Sequence, residues 1–477
     1  MTGAEMRTVV IVGAGFCGTT LAARLLRSPP VTPLQVVLID RSASMGRGVA
    51  YGKCTSRHLL NVPAMRMSAW PDDDAHFYRY ACGRDPGVTP GSFLPRALYG
   101  DYLEDLLDGA VGQAPVGCLF RSVVSDVVRI ERCADAARVV MRDGATIDAD
   151  RVVLCVGNHP PPHPSTATGQ DGLHLHPRYV RDPWAPHAME RIPMDKPVLL
   201  IGTGLTMLDV MLELRALGHR GQICAVSRRG VLPQGHRELE MPSRYDSTRL
   251  IQGMLTCPST RRYLRSVLRA VDRHTQAGGD WRDVINGLRM ATPTLWRALP
   301  FDERRRFMRH LRPYWEGHRH RCAPRVYAHM RDALDRGTLR IFAGKLLGHT
   351  DTADGVRVSI GLRGGSSTTE LGVGTVVNCT GPAAGAQVLD ASLLASLRDD
   401  GQLTCDALDL GFAINDDYAL LDGGGAGSNR LYYVGPFLRA QFWEATAVPE
   451  LRVHVECLAQ VLCRSLADID SMAVASA

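Results

Sequence analysis

The chain begins with a short apolar run that leads directly into three glycines at fixed spacing. Val9–Val12 reads as a strand, Gly13-x-Gly15-x-x-Gly18 follows it, and Thr19–Leu26 has a helical pattern. The first glycine allows a tight turn, the second lets the backbone approach a pyrophosphate, and the third lets the helix pack on the strand. This order predicts a Rossmann-type unit whose helix N-terminus binds the phosphates of a dinucleotide.

An acidic residue at the end of the next strand supports this interpretation. Gln35–Ile39 reads as a strand, and it ends at Asp40, 22 residues after Gly18. A carboxylate at this position accepts hydrogen bonds from a ribose. The alternative is a glycine turn in an unrelated fold. We predict that FAD binds to this first unit.

A second strand, glycine loop and helix begin near residue 197. Val198–Ile201 reads as a strand, Gly202 and Gly204 follow, and Leu208–Leu217 has a helical pattern. Met207 stands where the third glycine would be, which weakens the motif when it is taken alone.

The next strand of this second unit ends in basic residues. Gln222–Val226 leads to Ser227-Arg228-Arg229 and not to an acid. An acid there would favour NAD, whereas guanidinium groups bind phosphate bidentately and suit the 2′-phosphate of NADPH. The sequence therefore predicts NADPH as the second cofactor. The alternative is that both arginines merely lie at the end of a strand.

Three more apolar strands end in glycine. They span residues 150–157, 374–381 and 429–437, and the last contains Gly435-Pro436. In flavoproteins with two dinucleotide-binding domains, such strands return the chain from one domain to the other. A glycine such as Gly435 can bring a helix N-terminus close to the flavin. The predicted fold class is α/β, with two Rossmann-like dinucleotide-binding domains and a helical insertion.

The predicted domains are discontinuous in sequence. Residues 1–190 and 340–477 form the FAD-binding domain, and residues 191–339 form the NADPH-binding domain, with a helical insertion at about 241–336. The residues predicted to bind FAD are Gly13, Gly15, Gly18, Asp40, Arg41, Gly48, His58, Asn61, Val62, Val124, Gly157, Gly435 and Pro436. Those predicted to bind NADPH are Gly202, Gly204, Thr206, Met207, Ser227, Arg228, Arg229, Thr380 and Gly381.

Composition restricts the class of protein. Of 477 residues, 45% are hydrophobic and 22% are charged, which is ordinary for a globular chain. We see no signal peptide and no apolar run of about 20 residues, so we expect a cytoplasmic protein that does not enter the membrane. The 13 cysteines include no C-x-x-C pair, which argues against a dithiol reductase. No His/Cys cluster has zinc spacing, and we predict no metal.

The positive charge is concentrated in one segment. Residues 241–330 contain 18 Arg and Lys against 7 Asp and Glu, whereas the whole chain has a net charge of +6. No helix-turn-helix, zinc or RNA-binding motif accompanies this charge, so we do not expect nucleic-acid binding. A helical insertion that covers the active site is the more economical interpretation, because lids exclude water.

Longer motifs over nearly the whole chain are distinctive. They are Gly46–Gly52, His58–Ala64, Met67–Ala69 with Pro71–Asp73, Phe93–Arg96 with Tyr99–Leu103, Ser227–Gly230, His318–Arg321, and the run from Gly435 to Arg452. Together they resemble a bacterial FAD/NAD(P)-binding protein family whose members are mostly uncharacterised. More distantly, that family is similar to the flavin-dependent N-hydroxylating monooxygenases of the lysine, ornithine and aspartate type.

The resemblance implies a reaction. FAD would be reduced by NADPH and would react with O2 to a C4a-hydroperoxyflavin, which would hydroxylate the amine of a small polar molecule such as an amino acid. We keep two alternatives. One is an NADPH-dependent flavin oxidoreductase or oxidase that inserts no oxygen, and the other is a non-catalytic module that senses redox state. A homo-oligomer is an open alternative for the assembly.

A few polar residues are candidates for catalysis or substrate binding. Asn61 is the catalytic candidate, since it lies in an apolar setting after the first nucleotide unit; the alternative is a capped turn. Lys53, His320, Arg439 and Glu444 are candidates for the substrate. Arg439 suits a substrate carboxylate and Glu444 a substrate amine, although a structural ion pair would explain both. Lys53 and His320 would meet an acidic substrate, or are solvated charges.

Overall fold

The computed structural model describes residues 6–31, 33–52, 57–133, 136–164, 172–238, 245–389 and 392–476. The strands are β1 Arg7–Val12, β2 Leu34–Asp40, β3 Cys118–Val124, β4 Val127–Arg132, β5 Ala137–Met141, β6 Thr146–Ala149, β7 Arg151–Leu154, β8 Tyr179–Val180, β9 Val198–Ile201, β10 Ile223–Ser227, β11 Leu339–Thr352, β12 Gly355–Leu362, β13 Thr368–Val373, β14 Thr375–Asn378, β15 Ala419–Leu421 and β16 Gly427–Tyr433. The helices are α1 Phe16–Arg27, α2 Gly48–Gly52, α3 His76–Arg84, α4 Arg96–Gly112, α5 Leu205–Ala216, α6 Thr248–Leu255, α7 Thr260–Gln276, α8 Trp281–Gly287, α9 Thr292–Ala298, α10 Phe301–His310, α11 Arg312–Arg319, α12 Pro324–Asp335, α13 Ser392–Asp399, α14 Arg439–Phe442 and α15 Val448–Ser476.

The chain divides into two compact units. The first unit comprises residues 1–56, 63–158 and 384–477, and the second comprises residues 57–62 and 159–383. These boundaries differ from the predicted ones at 190/191 and 339/340. The reason is strand pairing: β8 and β14 pair with each other and β14 pairs with β9, so the segments around them belong to the second sheet.

The first unit is built on a six-stranded sheet in the order β15-β16-β7-β1-β2-β3. The five strands from β16 to β3 are parallel, and β15 is antiparallel. Val9–Ile11 and Val152–Leu154 are completely buried, as expected for central parallel strands covered on both faces. Helix α1 packs against α4 and α15, and a small sheet of β4, β5 and β6 completes the unit.

The second unit is built on a seven-stranded sheet in the order β13-β12-β11-β10-β9-β14-β8. Strands β11, β10, β9, β14 and β8 are parallel, and β12 and β13 extend the sheet as antiparallel strands. The predicted helical insertion is present as α6–α12 between the paired strands β10 and β11. It has a small core of its own, in which Met254, Leu288 and Leu295 pack together.

The predicted fold class is confirmed by these two sheets. Each contains a parallel strand, glycine loop and helix at the position that the sequence predicted. Both helices begin earlier than predicted, at Phe16 and Leu205, because each glycine loop passes directly into its helix. Among the described residues, no helix combines the length and the apolar character needed to cross a membrane.

Candidate nucleotide-binding sites

Two glycines of the first loop are required by the protein itself. Gly13 has a φ of +105°, and a Cβ atom there would lie 2.4 Å from the carbonyl oxygen of Cys155. A Cβ atom on Gly18 would lie 1.8 Å from the carbonyl oxygen of Gly13. The Gly13 N–H donates to the carbonyl of Ile39 at 2.7 Å, which joins the loop to β2. The turn and the close packing of α1 on the sheet therefore both depend on the absence of side chains.

Gly15 differs from these two glycines. It precedes α1 with a φ of −78°, and a Cβ atom there would meet only the Cα atom of Gly48, at 3.9 Å. No side chain caps the N-terminus of α1 at this residue. The N–H groups of the first helical turn are therefore available to a phosphate, which a helix N-terminus favours.

Asp40 connects the glycine loop to the end of β2. Its Oδ2 accepts the N–H of Ala14 at 2.7 Å, and its Oδ1 accepts the N–H of Ser42 at 2.8 Å. A carboxylate has further acceptor capacity, so these bonds still allow it to bind a ribose hydroxyl. The neighbouring candidates Arg41 and Val124 are exposed at the same edge, and Val124 pairs with Asp40 in register.

The loop that carries Gly48 is held next to the first glycine loop. The Gly46 N–H donates to the carbonyl of Ala14 at 2.9 Å. Arg47 donates from Nε and Nη2 to Glu104 at 2.7 and 2.6 Å, and from Nη2 to Asp101 at 2.5 Å. The hydrogen bond to Glu104 is the main cause of the raised pKa of Arg47. These bonds tie the start of α2 to α4.

The remaining FAD candidates of the first unit follow β7 and β16. Gly157 has a φ of +65°, and a Cβ atom there would meet no neighbour within 4 Å. A Cβ atom on Gly435 would lie 2.5 Å from the hydroxyl of Tyr433, which accepts the N–H of Phe437 at 2.9 Å. Pro436 begins a short 3₁₀ turn. The turn after β16 is thus packed tightly on the sheet.

Cysteines near the two loops are buried and chemically inert. Burial raises the pKa of Cys17 to about 12 and raises the pKa of Cys155 well above its ordinary value. Burial also raises the pKa of Cys379, which lies beside the second glycine loop. These thiols stay protonated at neutral pH, so they do not act as nucleophiles.

The second loop repeats the geometry of the first. Gly202 has a φ of +116°, donates its N–H to the carbonyl of Val226 at 2.8 Å, and has no room for a Cβ atom, which would lie 2.3 Å from the carbonyl oxygen of Cys379. Gly204 is exposed, and a Cβ atom there would meet nothing within 4 Å. Thr206 lies in the first turn of α5. Met207, at the position of the third glycine, is fully buried in the same helix, so the close approach seen at Gly18 is not repeated here.

Residues after β10 and β14 complete this site. The Thr203 hydroxyl is 2.8 Å from the hydroxyl of Ser227, which accepts the N–H of Gly230 at 3.0 Å. Arg228 is exposed and Arg229 is half-buried. Thr380 donates both its N–H and its hydroxyl to the side chain of Asn378, and Gly381 has a φ of +88°. The predicted NADPH residues outside the glycine loop therefore lie at or directly after the ends of β10 and β14: Ser227, Arg228, Arg229, Thr380 and Gly381.

Three residues predicted to bind FAD group with the second unit, and their contact with FAD stays a prediction. His58, Asn61 and Val62 belong to residues 57–62, which group with that unit. His58 is 3% exposed, and its Nε2 is 3.7 Å from a carboxylate oxygen of Glu213. His236 Nε2 donates to the carbonyl of Asn61 at 3.0 Å. The sequence had no signal for this placement, because it depends on contacts with segments more than a hundred residues away.

The substrate candidates fall in separate places. Arg439 and Glu444 lie in the first unit, and His320 directly follows α11 in the second unit. Lys53 lies outside the described residues. Glu444 is 2% exposed, and the Arg439 guanidinium carbon lies 4.3 Å from the centre of the Trp443 ring.

A strained turn separates Arg439 from Glu444. Trp443 has a φ of +59° and a ψ of −57°, and the Glu444 N–H donates to the carbonyl of Phe442 at 2.7 Å. This is a γ-turn with a positive φ, a rare and strained conformation for a residue with a side chain. Strain of this kind is often found at ligand-binding sites.

In the part of the chain that the structure describes, no cluster of His, Cys, Asp or Glu is suited to a metal ion.

Comparisons with known proteins agree with this geometry. Residues 10–159 match a family model described as FAD-NAD(P)-binding. Nitrosuccinic acid synthase from Aspergillus oryzae is 24% identical over 234 residues, which are 44% of this chain and 35% of that protein. The match thus spans about a third of the length of this curated relative.

Solved structures resemble the chain over nearly its whole length. The reduced form of ornithine hydroxylase from Pseudomonas aeruginosa has a TM-score of 0.64 at 15% identity and covers 97% of this chain and 100% of its own. An ornithine N-hydroxylase from Kutzneria sp. 744, solved with reduced FAD, NADP⁺ and L-ornithine, has a TM-score of 0.60 at 17% identity, with 96% and 100% covered. L-lysine 6-monooxygenase from Pseudomonas syringae has a TM-score of 0.63 at 16% identity, with 96% and 99% covered. The chain therefore contains an FAD-NAD(P)-binding domain and shares the fold of these hydroxylases.

Proposed function

We propose that this chain, which carries an FAD-NAD(P)-binding domain over residues 10–159, is an FAD- and NADPH-dependent monooxygenase that hydroxylates the amine of a small polar molecule. The observation that carries the proposal is the pair of glycine loops. Each has one glycine, Gly15 or Gly204, that leaves a helix N-terminus open to a ligand. A chain with two such loops in the fold of amine hydroxylases is suited to two dinucleotides.

The proposed reaction consumes one NADPH, one proton, one O2 and one amine, and yields NADP⁺, water and a hydroxylamine. Bound FAD supplies the redox chemistry, since it takes a hydride from NADPH and activates O2. The protein has to bind and orient the two cofactors and the substrate, and it has to exclude water. In this proposal the N-terminus of α1 and Asp40 hold FAD, while the N-terminus of α5 and the residues after β10 hold NADPH.

For the substrate, we propose an amino acid with an acidic side chain. The support is the similarity to nitrosuccinic acid synthase and the presence of Arg439 and Glu444 after β16. A guanidinium stacked on Trp443 keeps its N–H donors in one plane, which suits a carboxylate. The buried Glu444 is placed to attract an ammonium group. Asn61 stays a predicted catalytic residue, and His320 and Lys53 stay predicted contacts of an acidic substrate.

The test is product analysis coupled to nucleotide consumption. Purified FAD-loaded protein is mixed with NADPH and air-saturated buffer, with and without aspartate and other amino acids, and NADPH oxidation, hydrogen peroxide and hydroxylamine are measured. We expect one amino acid to give hydroxylamine in proportion to the NADPH consumed. Heat-denatured protein with free FAD is the control for uncatalysed oxidation.

This assay and an anaerobic reduction of the flavin by NADPH or NADH distinguish the two alternatives. Stoichiometric hydrogen peroxide with every amino acid would contradict the monooxygenase and favour an oxidase. If neither NADPH nor NADH reduces the flavin under anaerobic conditions, the chain is not an enzyme of this kind, and the redox-sensing module becomes the better hypothesis.

A further inference from the structure

Three arginines and a tyrosine meet at the end of β10 in the second unit. We call Arg228, Arg229, Tyr314 and Arg363 the basic cluster. The first two follow β10, Tyr314 lies on α11 of the helical insertion, and Arg363 follows β12. Only the first two were recognisable in the sequence, because they belong to the strand ending that replaces the usual acid.

The backbone brings Arg363 to the same place as Ser227. Ser227 is in register with Ala343 on the neighbouring strand β11. The carbonyl of Ala343 accepts the N–H of Arg363 at 2.8 Å. A Cβ atom on Gly230 would lie 3.2 Å from the Cβ of Ala343, so the turn after β10 also packs at this position. The main-chain hydrogen bond to Ala343 therefore places the backbone of Arg363 near the end of β10.

Tyr314 joins the arginines from the helical insertion. The guanidinium carbon of Arg229 lies 5.4 Å from the centre of the Tyr314 ring, and its Nη2 donates to the carbonyl of Arg309 at 3.0 Å. The pKa of the Tyr314 hydroxyl is lowered, mainly by the neighbouring guanidinium of Arg363 and secondly by that of Arg229. Tyr314 is 40% exposed, so its ring lies at the surface beside Arg229 and is accessible to a ligand.

The charge of the cluster is not balanced locally. Within the described ranges, no carboxylate pairs with Arg228, Arg229 or Arg363. Several arginines of the insertion do have such partners, for example Arg306 with Glu303 and Arg312 with Glu316. Arginines at one strand end that have no carboxylate partner favour an anion with several acceptor oxygens.

We propose that the basic cluster is the binding site for the 2′-phosphate of NADPH, and that Tyr314 and Arg363 distinguish NADPH from NADH together with the arginines of the strand ending. The inference rests on the proposed binding of a nicotinamide dinucleotide to the second unit. In such units the adenosine ribose lies at the end of the second strand, here β10. The helical insertion then contributes to nucleotide recognition through Tyr314.

The test is calorimetric binding of NADP⁺ and NAD⁺, which differ only by the 2′-phosphate, to the FAD-loaded protein. We expect NADP⁺ to bind more tightly than NAD⁺ in the parent protein. In Arg363→Gln, NADP⁺ affinity should fall by ~10- to 100-fold, the effect of losing a charge-assisted hydrogen bond to phosphate. Tyr314→Phe should cause a smaller, severalfold loss. NAD⁺ affinity should stay unchanged in both variants, which also shows that they are folded.

A matched control is available on the same sheet. Arg357 lies on β12, is exposed, and faces Glu370 on β13. Arg357→Gln removes the same charge outside the cluster, and its NADP⁺ and NAD⁺ affinities should match those of the parent. Inorganic phosphate is titrated separately, to distinguish a nucleotide site from a general phosphate site.

Several outcomes would overturn the inference. They are equal affinities for NADP⁺ and NAD⁺ in the parent protein, an unchanged NADP⁺ affinity in Arg363→Gln, or binding of inorganic phosphate as tight as that of NADP⁺. Equal affinities together with hydroxylamine production would leave the proposed function standing. A clear preference for NADP⁺ without any hydroxylated product would support the cluster and contradict the monooxygenase.

Discussion

At the scale of single residues, the glycines of each loop have two different physical roles. Gly13 and Gly202 have a positive φ and no space for a Cβ atom, so the protein's own backbone requires them. Gly15 and Gly204 have a negative φ that alanine adopts readily, and their neighbours would accommodate a Cβ atom. Open space of this kind beside a helix N-terminus is what we expect of a position that phosphates approach.

This difference predicts the behaviour of Gly204→Ala. The substitution should change the free energy of unfolding by less than ~0.5 kcal/mol, because the added methyl group meets nothing in the protein. It should weaken NADP⁺ binding by at least about tenfold, because the methyl group lies where the pyrophosphate approaches. Urea unfolding and calorimetric titration measure the two effects.

Gly202→Ala is the matched comparison for that prediction. Its positive φ alone costs ~1–3 kcal/mol for a residue with a side chain, and the contact with Cys379 adds to this. Unfolding of this variant should therefore occur at clearly lower urea concentration. A Gly204→Ala protein as unstable as Gly202→Ala would contradict the assignment of open space at Gly204.

At the scale of elements, short segments are held in place by side chains from distant helices. Gly48, the first residue of α2, lies next to Gly15, and the preceding Arg47 bonds to Asp101 and Glu104 on α4. The partners are partly exposed, so the contribution of the ion pairs to stability is modest. Their importance lies in the position of the loop rather than in the stability of the unit.

Arg47→Gln should therefore loosen FAD binding more than it lowers stability. We expect FAD affinity to fall by about fivefold, equivalent to roughly 1 kcal/mol of lost positioning. Equilibrium dialysis of FAD against the apoprotein measures this change.

Arg138→Gln is the control, because Arg138 makes a comparable pair of hydrogen bonds to Asp148 within the small sheet of β5 and β6. FAD affinity should be unchanged in that variant. Equal losses in the two proteins would show that the effect comes from net charge and not from the loop.

At the scale of the whole molecule, each unit has its own sheet, core and glycine loop. Val9 and Val152 are completely buried in the first sheet, and Leu199 and Val376 are completely buried in the second. The contacts described above for each loop come from its own unit. We therefore expect a substitution in one loop to weaken binding at that site and to leave the other site intact.

A pair of variants tests this independence. Gly15→Ala should leave the protein folded, since the added Cβ would make only an ordinary contact at 3.9 Å. It should lower FAD affinity at least about tenfold and leave NADP⁺ affinity within about twofold of the parent. Gly204→Ala should do the reverse. Both titrations are made on each protein, with FAD retention followed by absorbance. Loss of both ligands in either variant would show that the sites do not form separately.

The sequence by itself determined the local architecture of both loops. Residues such as Gly13 and Gly202 mark backbone conformations that other residues rarely adopt, and the apolar strands before them are continuous in sequence. Signals of this kind depend on neighbours within a few positions, so they can be read without a structure. The helical insertion was predicted for the same reason.

Only the tertiary structure decided which distant segments meet. It assigned residues 57–62 to the second unit, through contacts such as that of Asn61 with His236, and it placed Arg363 and Tyr314 beside the end of β10. It also revealed the strained turn at Trp443. These arrangements result from the pairing of strands and the packing of helices far apart along the chain, and no local pattern specifies them, because the same residues would have the same local preferences beside any other neighbour.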